Sequence, residues 1–202
     1  MSELDANRVR VRVQTLPTVR LSVIDAGPRG ASPVLFFVQG AGGHALQWVN
    51  QLHHFSGSHR CIAPDLRGHG RSDKPRRGYS VDRVTEDLVA VLDGLGVQEP
   101  VVLLAHSAGG LLGINFAASY PERLTKLVLL NTSAELPLSK AMRLGLRIPS
   151  VLMVVIRPFL QRRGRFNAPP HIFKKFVESS VGSWQGWDLL PDITTPTLVI
   201  AG

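Results

Sequence analysis

The segment Ala105-His106-Ser107-Ala108-Gly109 places a hydroxyl where a chain can present it to a reacting carbonyl. An apolar run at 101–105 precedes it and an apolar, helix-like run at 110–119 follows, so Ser107 sits on a strand-to-helix turn. Such a turn strains its central residue and admits only small neighbours two before and two after, here Ala105 and Gly109. It lifts the hydroxyl above the sheet and sets the Ala108 N–H at a helix N-terminus, where a developing oxyanion is stabilised. The chemistry this allows is nucleophilic acyl transfer, with Ser107 as nucleophile and Ala108 as an oxyanion donor.

A second pattern, Phe37-Val38-Gln39-Gly40-Ala41-Gly42-Gly43, is a glycine-rich turn leaving another apolar run at 34–38. Two readings are open. The Ala41 N–H can complete an oxyanion hole with that of Ala108. Alternatively, Gly40-x-Gly42-x-x-Ala45 fits the dinucleotide fingerprint, with Asp65 about twenty residues on to meet a ribose. That reading makes the chain a nicotinamide or flavin oxidoreductase. It fits poorly with two β-runs ahead of this strand, and it leaves the Ser107 turn unexplained. A third pattern, Ala63-Pro64-Asp65-Leu66-Arg67-Gly68-His69-Gly70-Arg71-Ser72-Asp73-Lys74-Pro75, lacks the lysine–serine pair of a phosphate-binding loop. It reads as a structural loop pinned by Asp65 and Arg67.

Strand-like and helix-like runs alternate around these patterns. Residues 8–13 and 19–24 are two β-runs joined by a turn, and 34–38, 61–63, 101–105, 127–130 and 197–201 are further strands. Helical spacing marks 45–55, 81–95 and 110–119; the apolar stripe Val84, Leu88, Val91, Leu92, with Ser80 as N-cap, is clearest. Buried strands alternating with helices predict an α/β fold, a mainly parallel sheet with helices on both faces and an antiparallel edge. Residues 134–190 break this rhythm and are expected to be a helical insertion placed as a lid, unless 151–156 is a strand. The domains are then a core of 1–133 plus 191–202, and a cap of 134–190.

The 202 residues suit one domain, and 44% hydrophobic content with 19% charged excludes disorder. One cysteine excludes a disulfide framework or a cysteine-built zinc site, and no cofactor or metal is expected. No apolar stretch approaches the ~20 residues of a membrane span, and no signal peptide is evident, which points to the cytoplasm. Net charge is +8, and nine bases against three acids fall in 134–190. These arginines alternate with apolar residues without a nucleic-acid motif, so nucleic-acid binding is not expected.

In order and spacing, the Asp65–Pro75 loop, the Ala105–Gly109 turn, Tyr120-Pro121-Glu122-Arg123-Leu124 and Thr195-Pro196-Thr197-Leu198-Val199-Ile200-Ala201-Gly202 resemble the α/β-hydrolase superfamily. The resemblance covers 20–202 and is nearest its serine esterase, lactonase and haloperoxidase-like branch. It implies Ser107 as nucleophile, Ala41 and Ala108 as oxyanion donors, and an ester, lactone or similar acyl substrate; the apolar cap residues Val151, Leu152, Val154, Ile156, Phe159, Leu160, Trp184 and Trp187 either favour a small hydrophobic one or form the cap's own core. A serine in place of an aspartate argues against haloalkane dehalogenases and epoxide hydrolases. Gln39 stands where the family usually has histidine.

The family order is serine, acid, histidine, with the acid just past the strand at 197–201. The chain reaches Gly202 inside that turn, and the alternative acid position holds Asn131. Six of the seven histidines precede Ser107 and His171 lies in the cap. Only His44 and His171 are plausible substitutes, since the side chain of His106 diverges from that of its neighbour. The expectation is a C-terminally truncated hydrolase lacking its last strand and helices, weakly active or inactive, with 197–201 an exposed edge prone to self-association. A non-catalytic, hydrolase-like ligand-binding protein is the competing class.

Overall fold

The computed structural model describes residues 9–15, 19–147 and 168–202. Strands β1 (Val9–Thr15) and β2 (Arg20–Ala26) form an antiparallel edge hairpin. β2 pairs antiparallel with β4 (Cys61–Pro64), which runs parallel to β3 (Leu35–Val38). β5 (Val101–His106), β6 (Leu124–Leu130) and β7 (Thr197–Ile200) continue the sheet in parallel. Among the described residues the order is β1-β2-β4-β3-β5-β6-β7. The mainly parallel sheet with an antiparallel edge is the one the alternating runs predict. β6 starts earlier than its apolar run, because Thr125 and Lys126 face outward beside an irregularity at Val101/Val102.

Helices cover both faces. On one, α2 (Val81–Gly94) and α3 (Ala108–Ser119) pack over Val34, Phe36, Leu103 and Leu127. Ser80 caps α2 by accepting the Arg83 N–H, and the apolar stripe of α2 is fully buried. The helix α3 is apolar on every side because α2 flanks it; Asn115 donates to Thr85 across that contact at 3.2 Å. The other face is covered by a 3₁₀ turn, Ala45–Trp48, and α1 (Val49–Phe55), over Leu35, Phe37 and Cys61. β7 is the edge strand, and its Leu198, Val199 and Ile200 are exposed.

Within 134–190 lie α4 (Lys140–Arg147) and α5 (Pro170–Phe176), the latter running into a wider turn at Val177–Val181. Ile172, Phe176, Val177 and Val181 join the main core. The strand considered at 151–156 lies outside the described residues. No helix among the described residues is long and apolar enough to cross a membrane.

The loop after β4 is held as the sequence suggests, but by a partner the sequence does not single out. Arg67 donates through Nη2 to Asp87 of α2 at 2.6 Å, through Nε to the same carboxylate, and through Nη1 to the Gly78 carbonyl at 2.9 Å. Both side chains are buried, so neither charge can be left alone cheaply. Asp87→Ala is expected to lower unfolding free energy by about 3–5 kcal/mol in urea titrations; a loss under about 1 kcal/mol would contradict this account of the loop.

Candidate active site

Ser107 takes φ 52° and ψ −124°, and it shares a positive φ with only Asn131 among the described non-glycine residues. Hydrogen bonds from two directions hold it there. Its N–H donates to Leu130 of β6 at 2.9 Å, while its carbonyl accepts the Gly110 N–H at 2.7 Å and the Thr132 hydroxyl at 2.8 Å. Bare backbone then closes around it. A Cβ on Gly109 would stand 2.5 Å from the Gln39 carbonyl oxygen, and one on Gly40 would stand 3.1 Å from Ser107 Cβ. The glycine-rich turn therefore lies directly against the serine.

Ala105, where a glycine is more usual, has its room made by α3. A Cβ on Gly113 would be 3.0 Å from that of Ala105. Sequence reading passes over Gly113, although a glycine inside a helix costs about 1 kcal/mol and so signals a close approach.

The glycine-rich turn is a β-turn, with the Gly43 N–H donating to Gly40 O at 3.1 Å and Gly42 at φ 76°. Gln39, fully buried, donates its amide to Gly43 O at 3.2 Å and leaves Oε1 without a protein partner. The Gly42 N–H donates to His69 Nε2 at 3.0 Å, and the Ala45 N–H to Asp65 Oδ1 at 2.7 Å. Asp65 also accepts the Arg71 N–H at 2.9 Å, and Gly70 packs so tightly on this carboxylate that no side chain would fit. These amides and Asp65 are thus committed within the protein, and a pyrophosphate and ribose would need them free. The Ala41 N–H has no such acceptor among the described residues. The Ala108 N–H opens α3 and has no intrahelical partner.

The alpha/beta hydrolase fold family matches residues 33–164. The chain belongs to that family. Epoxide hydrolase 1 of Caenorhabditis elegans is 38% identical over 118 residues, covering 57% of this chain and 29% of the relative. Cis-3-alkyl-4-alkyloxetan-2-one decarboxylase of Shewanella oneidensis is 38% identical over 123 residues, covering 59% of this chain and 39% of the relative. The chain therefore spans well under half the length of these two relatives. Among solved structures, Est816, described as an N-acyl homoserine lactone degrading enzyme, superposes with a TM-score of 0.75 at 27% identity, covering 93% of this chain and 80% of that one.

In this alpha/beta hydrolase no histidine is hydrogen-bonded to the Ser107 hydroxyl among the described residues, which include all seven. His44 is half-buried and His171 exposed. The His106 ring meets Trp48 edge-on at 6.4 Å, its Nδ1 is buried without a protein partner, and burial lowers its pKa. Asn131 is engaged elsewhere, its Oδ1 accepting the Gly202 N–H at 2.8 Å. Glu135 accepts from the Trp187 indole at 3.2 Å. A cavity of about 330 Å³ lies between Glu135, Leu136, Leu138 and Arg143 on one side and Trp184 and Gln185 on the other; Ser107 is not in its lining. Of the apolar cap residues, Val151, Leu152, Val154, Ile156, Phe159 and Leu160 lie outside the described residues. Trp184 packs on the main core and Trp187 is exposed.

His69 is fully buried, with Nδ1 facing the Arg67 carbonyl at 3.0 Å and Nε2 accepting from Gly42. A carbonyl can only accept and an N–H only donate, so the ring is neutral with its proton on Nδ1. Burial pushes its pKa down to about 4, reinforced by Lys74 and opposed by the Arg67 carbonyl and Asp65.

Two outcomes follow. Gly113→Ala sets an overpacking cost of about 1–3 kcal/mol against about 1 kcal/mol gained in helix propensity, a net loss of up to about 2 kcal/mol, and Ala105→Gly added to it should recover part of that loss; additive effects in a double-mutant cycle would contradict the contact. For His69 the unfolded chain binds the proton more readily than the folded one. Stability should therefore fall as pH drops from about 6.5 to about 4, by about 3 kcal/mol, and level off below. Urea midpoints across this range should slope more weakly in His69→Gln; parallel slopes would count against a buried neutral ring.

Proposed function

We propose that this chain carries the nucleophile and the oxyanion hole of a hydrolase that cleaves a carboxylic ester or lactone through an acyl-enzyme. The observation that supports the reading best is the conformation of Ser107. A positive φ held from β6 and α3, with the Gly40 backbone against the Ser107 Cβ, is what a hydroxyl presented beside the Ala108 and Ala41 amides would need. In this reading Ser107 Oγ attacks the carbonyl carbon and loses its proton to a base, and the carbonyl oxygen becomes an oxyanion held by the two N–H groups. Collapse expels the alkoxide, which takes that proton, and water then releases the acid from the serine ester. In this reading a base and its orienting acid have still to be brought to Ser107, to which none of the histidines is hydrogen-bonded among the described residues. Residues 134–190 act as the lid; in support, Ile172 and Phe176 pack in the same core as Ala108 and Ala41.

The serine also bears on substrate class. A serine ester of an acid is readily hydrolysed, whereas a serine that opened an epoxide would be left as an inert ether. The likeness to Epoxide hydrolase 1 therefore carries less weight here than the names of two other relatives, both of which contain a cyclic ester. A second reading, a non-catalytic binding protein, is favoured by the lack of any histidine at Ser107 among the described residues.

Reaction with a fluorophosphonate, with and without added imidazole to stand in for the base, separates the two. Covalent modification at Ser107, about tenfold or more faster with imidazole and lost in Ser107→Ala, is expected for the enzyme reading. A folded chain whose Ser107 stays inert in both conditions would instead favour the binding protein.

A further inference from the structure

The Gly40–Gly43 turn has the hydrogen bond of a β-turn, a positive φ at Gly42 and none at Ala41, which together define type II. Its central peptide joins Ala41 to Gly42. In such turns that peptide can rotate as a unit, exchanging the directions of its C=O and N–H for little cost unless something holds it. Here the Gly42 N–H is held by His69, 27 residues away in sequence and fully buried. The ring is fixed on its other side by the Arg67 carbonyl, and it stands nearly perpendicular to the ring of Phe176 from α5, with centroids 4.9 Å apart. Arg67 is itself anchored to Asp87. A rigid chain of contacts therefore runs from α2, through Arg67 and His69, to the peptide that follows the Ala41 amide.

We propose that His69 is a positioning residue: by accepting the Gly42 N–H it ties the glycine-rich turn to the loop after β4 and so keeps the preceding Gly40–Ala41 peptide, whose N–H serves the oxyanion, in place. This rests on the reading of Ser107 and Ala41 given above. Only an acceptor can do it. An imidazolium would present Nε2–H to an N–H, two donors face to face, and the central peptide would turn to offer the Ala41 carbonyl instead. The groups that bear on the ring are few. Asp65 and Lys74 act from its own loop, where Arg67 is paired with Asp87. α5 offers Phe176, while its Lys175 is turned to the Arg76 carbonyl and its Lys174 lies beside Glu178. The glycine-rich turn offers backbone, with His44 at its end.

The test is the fluorophosphonate reaction of the full chain with imidazole at pH 7.5 (a working value, well above the range where His69 protonates), comparing wild type, His69→Gln and His69→Leu. Gln can still accept the Gly42 N–H, whereas Leu fills the space and cannot. His69→Leu is expected to react about 10- to 100-fold more slowly, with His69→Gln within about threefold of wild type. If wild type reacts and a folded His69→Leu reacts equally fast, the inference falls while the nucleophile stands. If wild type itself is inert, the nucleophile reading falls and takes this inference with it. Should His69→Leu not fold, amide NMR of wild type decides. The Ala41 and Gly42 resonances should shift together as the ring of His69 titrates, and unchanged resonances through that titration would overturn the proposal.

Discussion

The candidate site depends on one backbone conformation, the positive φ of Ser107. A non-glycine residue in that region costs about 1–3 kcal/mol, and it persists only where its surroundings over-determine it. Three hydrogen bonds do so, one donated to the Leu130 carbonyl and two accepted from Gly110 and Thr132, each worth about 1 kcal/mol net. The cost and the compensation are of the same size. What remains is steric: the serine keeps its place because Gly40, Gly109 and Gly113 let three elements approach more closely than side chains would permit.

A second constraint joins two loops that the sequence separates. Asp65 and His69, both in the loop after β4, take the amides of Ala45 and Gly42 in the turn after β3. Each acceptor is buried, so each bond is costly to break. The arrangement rules on the dinucleotide reading in physical terms. A pyrophosphate needs the amides at the helix start, and here two of them are consumed internally. It also explains why the loop after β4 is rich in glycine and charge without being an anion site: Gly70 exists so that backbone can wrap the Asp65 carboxylate, and Arg67 serves α2.

Local patterns were legible because local physics makes them. The apolar runs marked β3, β5 and β6, the stripe on α2 with its Ser80 cap, and the small residues around Ser107 all lie within a few positions of what they control. The paired amides of Ala41 and Ala108 could be suspected on the same basis. Less was visible where partners are distant. Nothing in the sequence pairs Arg67 with Asp87, His69 with Gly42, or Ala105 with Gly113, since those contacts depend on where α2, the loop after β4 and α3 come to rest. The helix-like run at 45–55 also proved composite, beginning as a 3₁₀ turn because Asp65 draws in the Ala45 amide before α1 starts.

By itself, then, the amino-acid order determined the class of sheet, the strand-to-helix turn and the chemical type of the proposed nucleophile, because periodicity, glycine placement and a single hydroxyl are properties of short segments. Only the tertiary structure decided the strand order and which acceptors hold the glycine-rich turn. It also decided that, among the described residues, no histidine is hydrogen-bonded to Ser107. Those are matters of which surfaces meet, and a hydrogen bond about 3 Å long between residues 27 apart exists only once the sheet has brought two loops together.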